Sequence, residues 1–105
     1  MNFWSQDDAI AFCVVVEAIC PAYGCHVALT GGSLYKAGER KDCDILFYRI
    51  RQEPTIDEEG LFAALQAVGV VLEKRYGWVQ KATYQGKSVD MFFPEHYDQG
   101  NYPTS

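Results

Sequence analysis

The sequence predicts an α+β domain, a mixed β-sheet with helices packed on one face. Three observations predict it: a capped apolar run at the start, a second capped run near the middle, and five short stretches rich in β-branched and aromatic residues. Their order along the chain is α-β-β-α-β-β-β.

Ser5 followed by Asp8 resembles a capping box with Asp in place of Glu, and Gln6 to Cys20 contains neither Gly nor Pro. Val14 to Val16 are poor helix formers, so helix one rests on its cap, its length and an apolar side expected to include Ile10, Cys13, Val14 and Val16. Pro21 and Gly24 end it. His26 to Leu29 reads as a short buried strand ending at Thr30, and Gly31-Gly32 marks a sharp turn or a close backbone approach. Asp42 to Ile50 reads as the second strand. Thr55 with Glu58 forms a second capping-box pattern, opening a helix through Phe62, Leu65 and Val68 that Gly69 ends. Val70 to Lys74 is a third strand. Trp78 to Tyr84 and Lys87 to Phe93, joined by Gln85-Gly86, form a hairpin. Pro94 closes it.

With 105 residues the chain has the size of one domain, with a core over residues 5–93 and an irregular tail over 94–105. Hydrophobic residues make up 49% and aromatics 14%, enough burial to offset the entropy of ordering the backbone. The longest apolar run, Ala9 to Cys20, is interrupted by Glu17 and is too short to span a bilayer, so no membrane partner is expected. The N-terminus lacks the basic flank and cleavage site of a signal peptide, and Cys13, Cys20, Cys25 and Cys43 lack Cys-x-x-Cys spacing. Free thiols and a cytoplasmic location are expected. A net charge of −5 argues against non-specific coating of DNA. All nine Lys and Arg residues nevertheless lie between Lys36 and Lys87, which fits either ordinary solvated faces or a local phosphate-binding surface.

Strand alternation places Asp42 and Asp44 on one face and Cys43, Ile45 and Phe47 on the other. Two adjacent carboxylates suit a hard divalent cation such as Mg²⁺ or Mn²⁺. Asp-x-Asp alone is a weak signal; its context is what strengthens it. The pair opens an apolar strand, and Gly31-Gly32-Ser33 leaves the apolar strand before it. Such a turn can offer N–H groups and a hydroxyl to phosphate oxygens, although two glycines alone are more often just a turn. Asp90 sits within Lys87 to Phe93, where a buried acid needs a partner, a hydrogen bond or a metal. If its strand neighbours the second strand, three acids share a surface; on an edge strand Asp90 would simply face outward. His26 and His96 lack neighbours at zinc-ligand spacing. Trp4, Tyr76, Trp78 and Tyr84 serve packing first and base stacking second.

Leu29-Thr30-Gly31-Gly32-Ser33 followed by Gly38-Glu39-Arg40-Lys41-Asp42-Cys43-Asp44-Ile45-Leu46-Phe47 resembles the signature of the DNA polymerase β-like nucleotidyltransferase superfamily. Gly-x-x-Lys-Asp-x-Asp is similar to the CCA-adding and poly(A) polymerase branch. The resemblance implies a nucleotidyltransferase-like fold in which Asp42, Asp44 and Asp90 are catalytic and bind metal, Asp90 helping to deprotonate the acceptor. It further implies that Gly31, Gly32 and Ser33 hold the triphosphate of a nucleotide such as ATP, with Lys36 as a further phosphate contact where many members have Arg. Lysine there keeps the charge but not the planar fork. Two further departures are a shorter spacing from Ser33 to Asp42 and the absence of an appended helical domain. The implied activity moves a nucleoside monophosphate from a triphosphate to a hydroxyl on protein, RNA or a small molecule, releasing pyrophosphate. The alternative is a catalytically silent module of the same fold that regulates or inhibits a protein partner.

Overall fold

Helix α1 (Gln6–Ile19) begins where Ser5, in an extended conformation, lets its Oγ accept a hydrogen bond from the Asp8 N–H at 3.0 Å. A 3₁₀ turn, Cys20–Tyr23, continues it until Gly24 adopts φ +83°, a left-handed conformation in which the backbone reverses into strand β1 (Cys25–Thr30). Strand β2 (Asp42–Arg49), helix α2 (Glu58–Ala67), and strands β3 (Val70–Tyr76), β4 (Val79–Tyr84) and β5 (Lys87–Phe92) complete the element order anticipated from sequence. The computed structural model describes residues 3–30 and 41–94.

Five strands form one sheet in the order β1-β2-β5-β4-β3. All pairings are antiparallel except the central one, β2 with β5, so the sheet is mixed as expected. The β4–β5 hairpin turns through Gln85 and Gly86, both at positive φ (53° and 77°), the backbone that a two-residue turn requires to match strand twist. A register shift between Leu72 and Arg75 disrupts edge strand β3, and the buried Gln80 amide satisfies carbonyls there, donating to Glu73 at 2.9 Å. The other edge, β1, is blunted by Glu17, whose carboxylate accepts from the Val27 N–H at 2.9 Å and meets His26 Nδ1 at 2.6 Å. His26 is thus a half-exposed polar contact of Glu17.

The core lies on one side of the sheet. Cys43, Ile45 and Phe47 of β2 and Val89 and Met91 of β5, with Phe93 just beyond its end, are fully buried against Phe12 and Val16 of α1 and Leu61 and Leu65 of α2. Phe47 stacks on Phe93 with centroids 4.6 Å apart. Trp4 belongs to this core, its Nε1 donating to the Ser88 carbonyl at 2.6 Å, so it is not available to stack on a base, and the half-buried Tyr84 packs on Phe12.

Two local expectations are corrected. The buried side of α1 is Ala9, Phe12 and Val16, whereas Ile10 and Val14 are exposed. The helix is apolar nearly all round, so periodicity alone could not select its inward face. Helix α2 is capped by Asp57 and not Thr55: its carboxylate accepts from the Gly60 N–H at 3.0 Å. Ile56 is drawn into the core, which leaves Asp57 as the last non-helical residue before the first turn. Gly60 is tightly enclosed there, since a Cβ would lie 2.7 Å from the Tyr23 ring.

All four cysteines are free thiols. Burial pushes the Cys43 thiol up to about 12, and Cys20 is raised by its contact with Cys25, so both behave as inert packing groups. No described helix is long and apolar enough to cross a membrane.

Candidate functional site

The alternation that buries Cys43 and Ile45 sends Asp42 and Asp44 to the opposite face of the sheet, which neither described helix covers. On β5 the same alternation buries Val89 and Met91 and sends Ser88, Asp90 and Phe92 outward. The parallel pairing sets Asp44 beside Asp90 and Asp42 beside Ser88. The condition set at the sequence level, that the Asp90 strand neighbour the Asp42 strand, is therefore met, and Asp90 lies on a central strand.

Register extends this juxtaposition into a row across four strands. Thr30 of β1 pairs with Asp44, Asp44 with Asp90, and Asp90 with Lys81 of β4. The Lys81 Nζ lies 2.6 Å from Asp90 Oδ1, and the Asp90 side chain is only 17% exposed. That oxygen is sealed from solvent and has no well-directed hydrogen bond, so the short contact with Lys81 is an ion pair. The same contact raises the Lys81 ammonium above the ordinary lysine range.

Lys81 was not anticipated, although the hairpin contained the signal. A two-residue turn at Gln85-Gly86 pairs Tyr84 with Lys87, and counting outward places Lys81 opposite Asp90. Gly31, Gly32, Ser33 and Lys36 lie outside the described residues. Strand β1 ends at Thr30, within this row, and β2 begins at Asp42, two residues before Asp44.

Carboxylate oxygens are the donor type that a hard divalent cation takes, and three carboxylates are on one face, although Asp90 Oδ1 is already paired with Lys81. Among the described residues, no three His, Cys, Asp or Glu side chains are gathered tightly enough to hold a metal ion by themselves. A groove of about 310 Å³ opens beside the row, lined by Thr30, Asp44, Leu46, Trp78 and Phe92.

This mixed sheet carries both described helices on one face and the acids on the other. The chain is similar to the solved structure of a cytoplasmic RNA terminal U-transferase, with a TM-score of 0.68 over 91% of its length at 13% identity. It spans about 30% of that chain, and the likeness is one of fold. No family model matches the sequence, and no curated protein matches it.

Proposed function

We propose that the protein is a metal-dependent nucleotidyltransferase that moves a nucleoside monophosphate from a triphosphate to a hydroxyl acceptor. The observation that carries this reading is the parallel register of β2 and β5, which puts Asp90 beside Asp44 on the face that already holds Asp42. The fold likeness to a terminal U-transferase supports it and makes an RNA end a natural acceptor.

Asp42, Asp44 and Asp90 would be the ligands of Mg²⁺ or Mn²⁺, which when bound shields the triphosphate and favours the ionised acceptor. Gly31, Gly32 and Ser33 would hold the triphosphate, with Lys36 as a further phosphate contact, in the segment that joins β1 to β2. Asp90 accepts the proton of the acceptor hydroxyl. The hydroxyl oxygen bonds to the α-phosphorus, the bond from that phosphorus to the oxygen bridging to the β-phosphate breaks, and pyrophosphate leaves with the electron pair. Lys81, paired with Asp90, holds that carboxylate in place and lends it positive charge when no cation is near.

A second reading has its own observation. The Lys81–Asp90 pair already neutralises the third acid internally, as a scaffold that binds a protein partner without catalysis would require. Incubation with each labelled triphosphate and Mg²⁺ or Mn²⁺, with RNA, protein and small-molecule fractions as acceptors, separates the two. Transfer by the wild type and none by Asp44→Asn is the expected result. Absence of transfer with every triphosphate, together with a thermal melt indifferent to metal and triphosphate, leaves the scaffold.

A further inference from the structure

Beside the charged row, the open face carries an apolar row that phosphoryl transfer by itself does not use. Ala28 pairs with Leu46, Leu46 with Phe92, Phe92 with Val79, and Val79 with Tyr76. This row lies two residues from Thr30, Asp44 and Asp90, or about 7 Å along the strands. At the start of β4, Trp78 reaches over it, its ring 6.2 Å from that of Phe92 at 57°. Trp78 remains 42% exposed, whereas the chain's other tryptophan, Trp4, is 1% exposed.

The groove between them has a definite chemistry. Leu46, Phe92 and Trp78 make its apolar part, and Thr30 and Asp44 bring polar groups to the end that adjoins the acid row. At about 310 Å³ it sits at the small end of ligand sites, suited to one flat ring system and too small for a partner's helix. A fitting occupant has a planar face and carries a polar group on the side nearer Asp44. The nucleobase and ribose of a strand end meet both conditions. The charge balance adds a reason for stacking: with a net charge of −5 the chain has little overall attraction for a polyanion, so contacts to bases add to its hold on a polynucleotide.

We propose that this groove is an acceptor subsite, in which the terminal base of a single-stranded polynucleotide stacks on Trp78 against Phe92 and its ribose hydroxyl lies beside the Asp44–Asp90 row. The fate of that hydroxyl rests on the nucleotidyl-transfer reading; the stacking does not. The groove thereby names the class of acceptor, a single strand with an accessible end, and excludes a base already paired within a duplex.

Trp78 makes the subsite its own reporter, because Trp4 is enclosed in the core. The full chain in Mg²⁺ buffer is titrated with a short single-stranded oligoribonucleotide, or with the same sequence as a blunt duplex, and followed by tryptophan fluorescence and by anisotropy of the labelled strand. The expected result is quenching by the single strand and none by the duplex. Trp78→Ala abolishes the quenching and weakens binding about tenfold, a typical loss for one stacked base. Trp78→Tyr, which keeps a ring, retains most of the affinity, and Trp78→Leu does not. Phe92→Leu, an independent change in the same groove, weakens binding severalfold. Wild-type affinity in Trp78→Ala, or equal binding by the Leu and Tyr variants, overturns the subsite. Labelled-triphosphate transfer run in parallel separates the two ideas. Transfer to the oligoribonucleotide with an unchanged acceptor KM in Trp78→Ala sinks the subsite and leaves nucleotidyl transfer standing. Stacking by a wild type that transfers nothing does the reverse.

Discussion

The two faces of the sheet are made by the same strands and obey opposite rules. On the covered face Cys43, Ile45, Phe47, Val89, Met91 and Phe93 meet helices α1 and α2, and any well-packed apolar set of similar volume would serve. On the open face Asp42, Asp44, Asp90 and Lys81 share one side of the sheet with no described helix over them, and their chemistry cannot be exchanged by volume. Cys43 and Asp44 are neighbours in sequence and illustrate the difference. One is a sealed thiol that burial pushes up to about 12, and the other lines an open groove. Substitutions on the two faces should therefore separate stability from activity.

The largest effect belongs to the covered face. Phe47→Ala removes a fully buried ring stacked on Phe93 and should cost about 3–5 kcal/mol, read from the denaturant midpoint. A change on this face that left the midpoint untouched would break the comparison. Next comes Asp44→Asn, which should lower transfer by at least about a hundredfold, or roughly 2.7 kcal/mol of transition-state stabilisation. Its unfolding free energy without metal should stay within about 1 kcal/mol of wild type. It should also lose most of the rise in melting temperature that Mg²⁺ or Mn²⁺ gives the wild type, a rise expected from linkage to reach several degrees at saturating ion.

Lys81→Met sharpens the open-face side. It strips the partially buried Asp90 of its counter-charge and should cost about 1–3 kcal/mol in chelator, less in Mg²⁺ if the cation takes over that role. The pair also sets a pH dependence. The folded-state value of Lys81 is raised by its contact with Asp90, so its stabilisation is fully present below the ordinary lysine value of about 10.4 and is lost as pH climbs through the raised folded value. Urea midpoints measured from neutral to strongly alkaline pH should fall more steeply in the wild type than in Lys81→Met; parallel curves would remove the pair from the account. The smallest effect lies away from both faces. Ser5→Ala deletes the α1 cap and should cost about 1 kcal/mol with transfer unchanged.

Local rules account for what could be read early. The Ser5 cap, the Gln85-Gly86 hairpin and the strand alternation at Asp42, Cys43 and Asp44 each depend on residues a few positions apart, so their physics is contained in short windows of sequence. The α1 face and the α2 cap were misjudged for the complementary reason. An all-round apolar helix has no local preference for a side, and Asp57 became the cap only because Ile56 is held in a core built by distant residues.

By itself the sequence determined the kinds and order of the elements, their turns, and that Asp42 and Asp44 share a face opposite Ile45 and Phe47, because period-two alternation is a property of one strand. Only the tertiary structure decided that β5 lies beside β2 and runs parallel to it, which brings Asp90 to Asp44 across a separation of 46 residues and sets Leu46 and Phe92 side by side beneath Trp78. Parallel pairing has no tight turn to fix its register, so the partner strand is selected by which arrangement buries Val89, Met91 and Phe93 with the helices, a sum over the whole core that no local window contains.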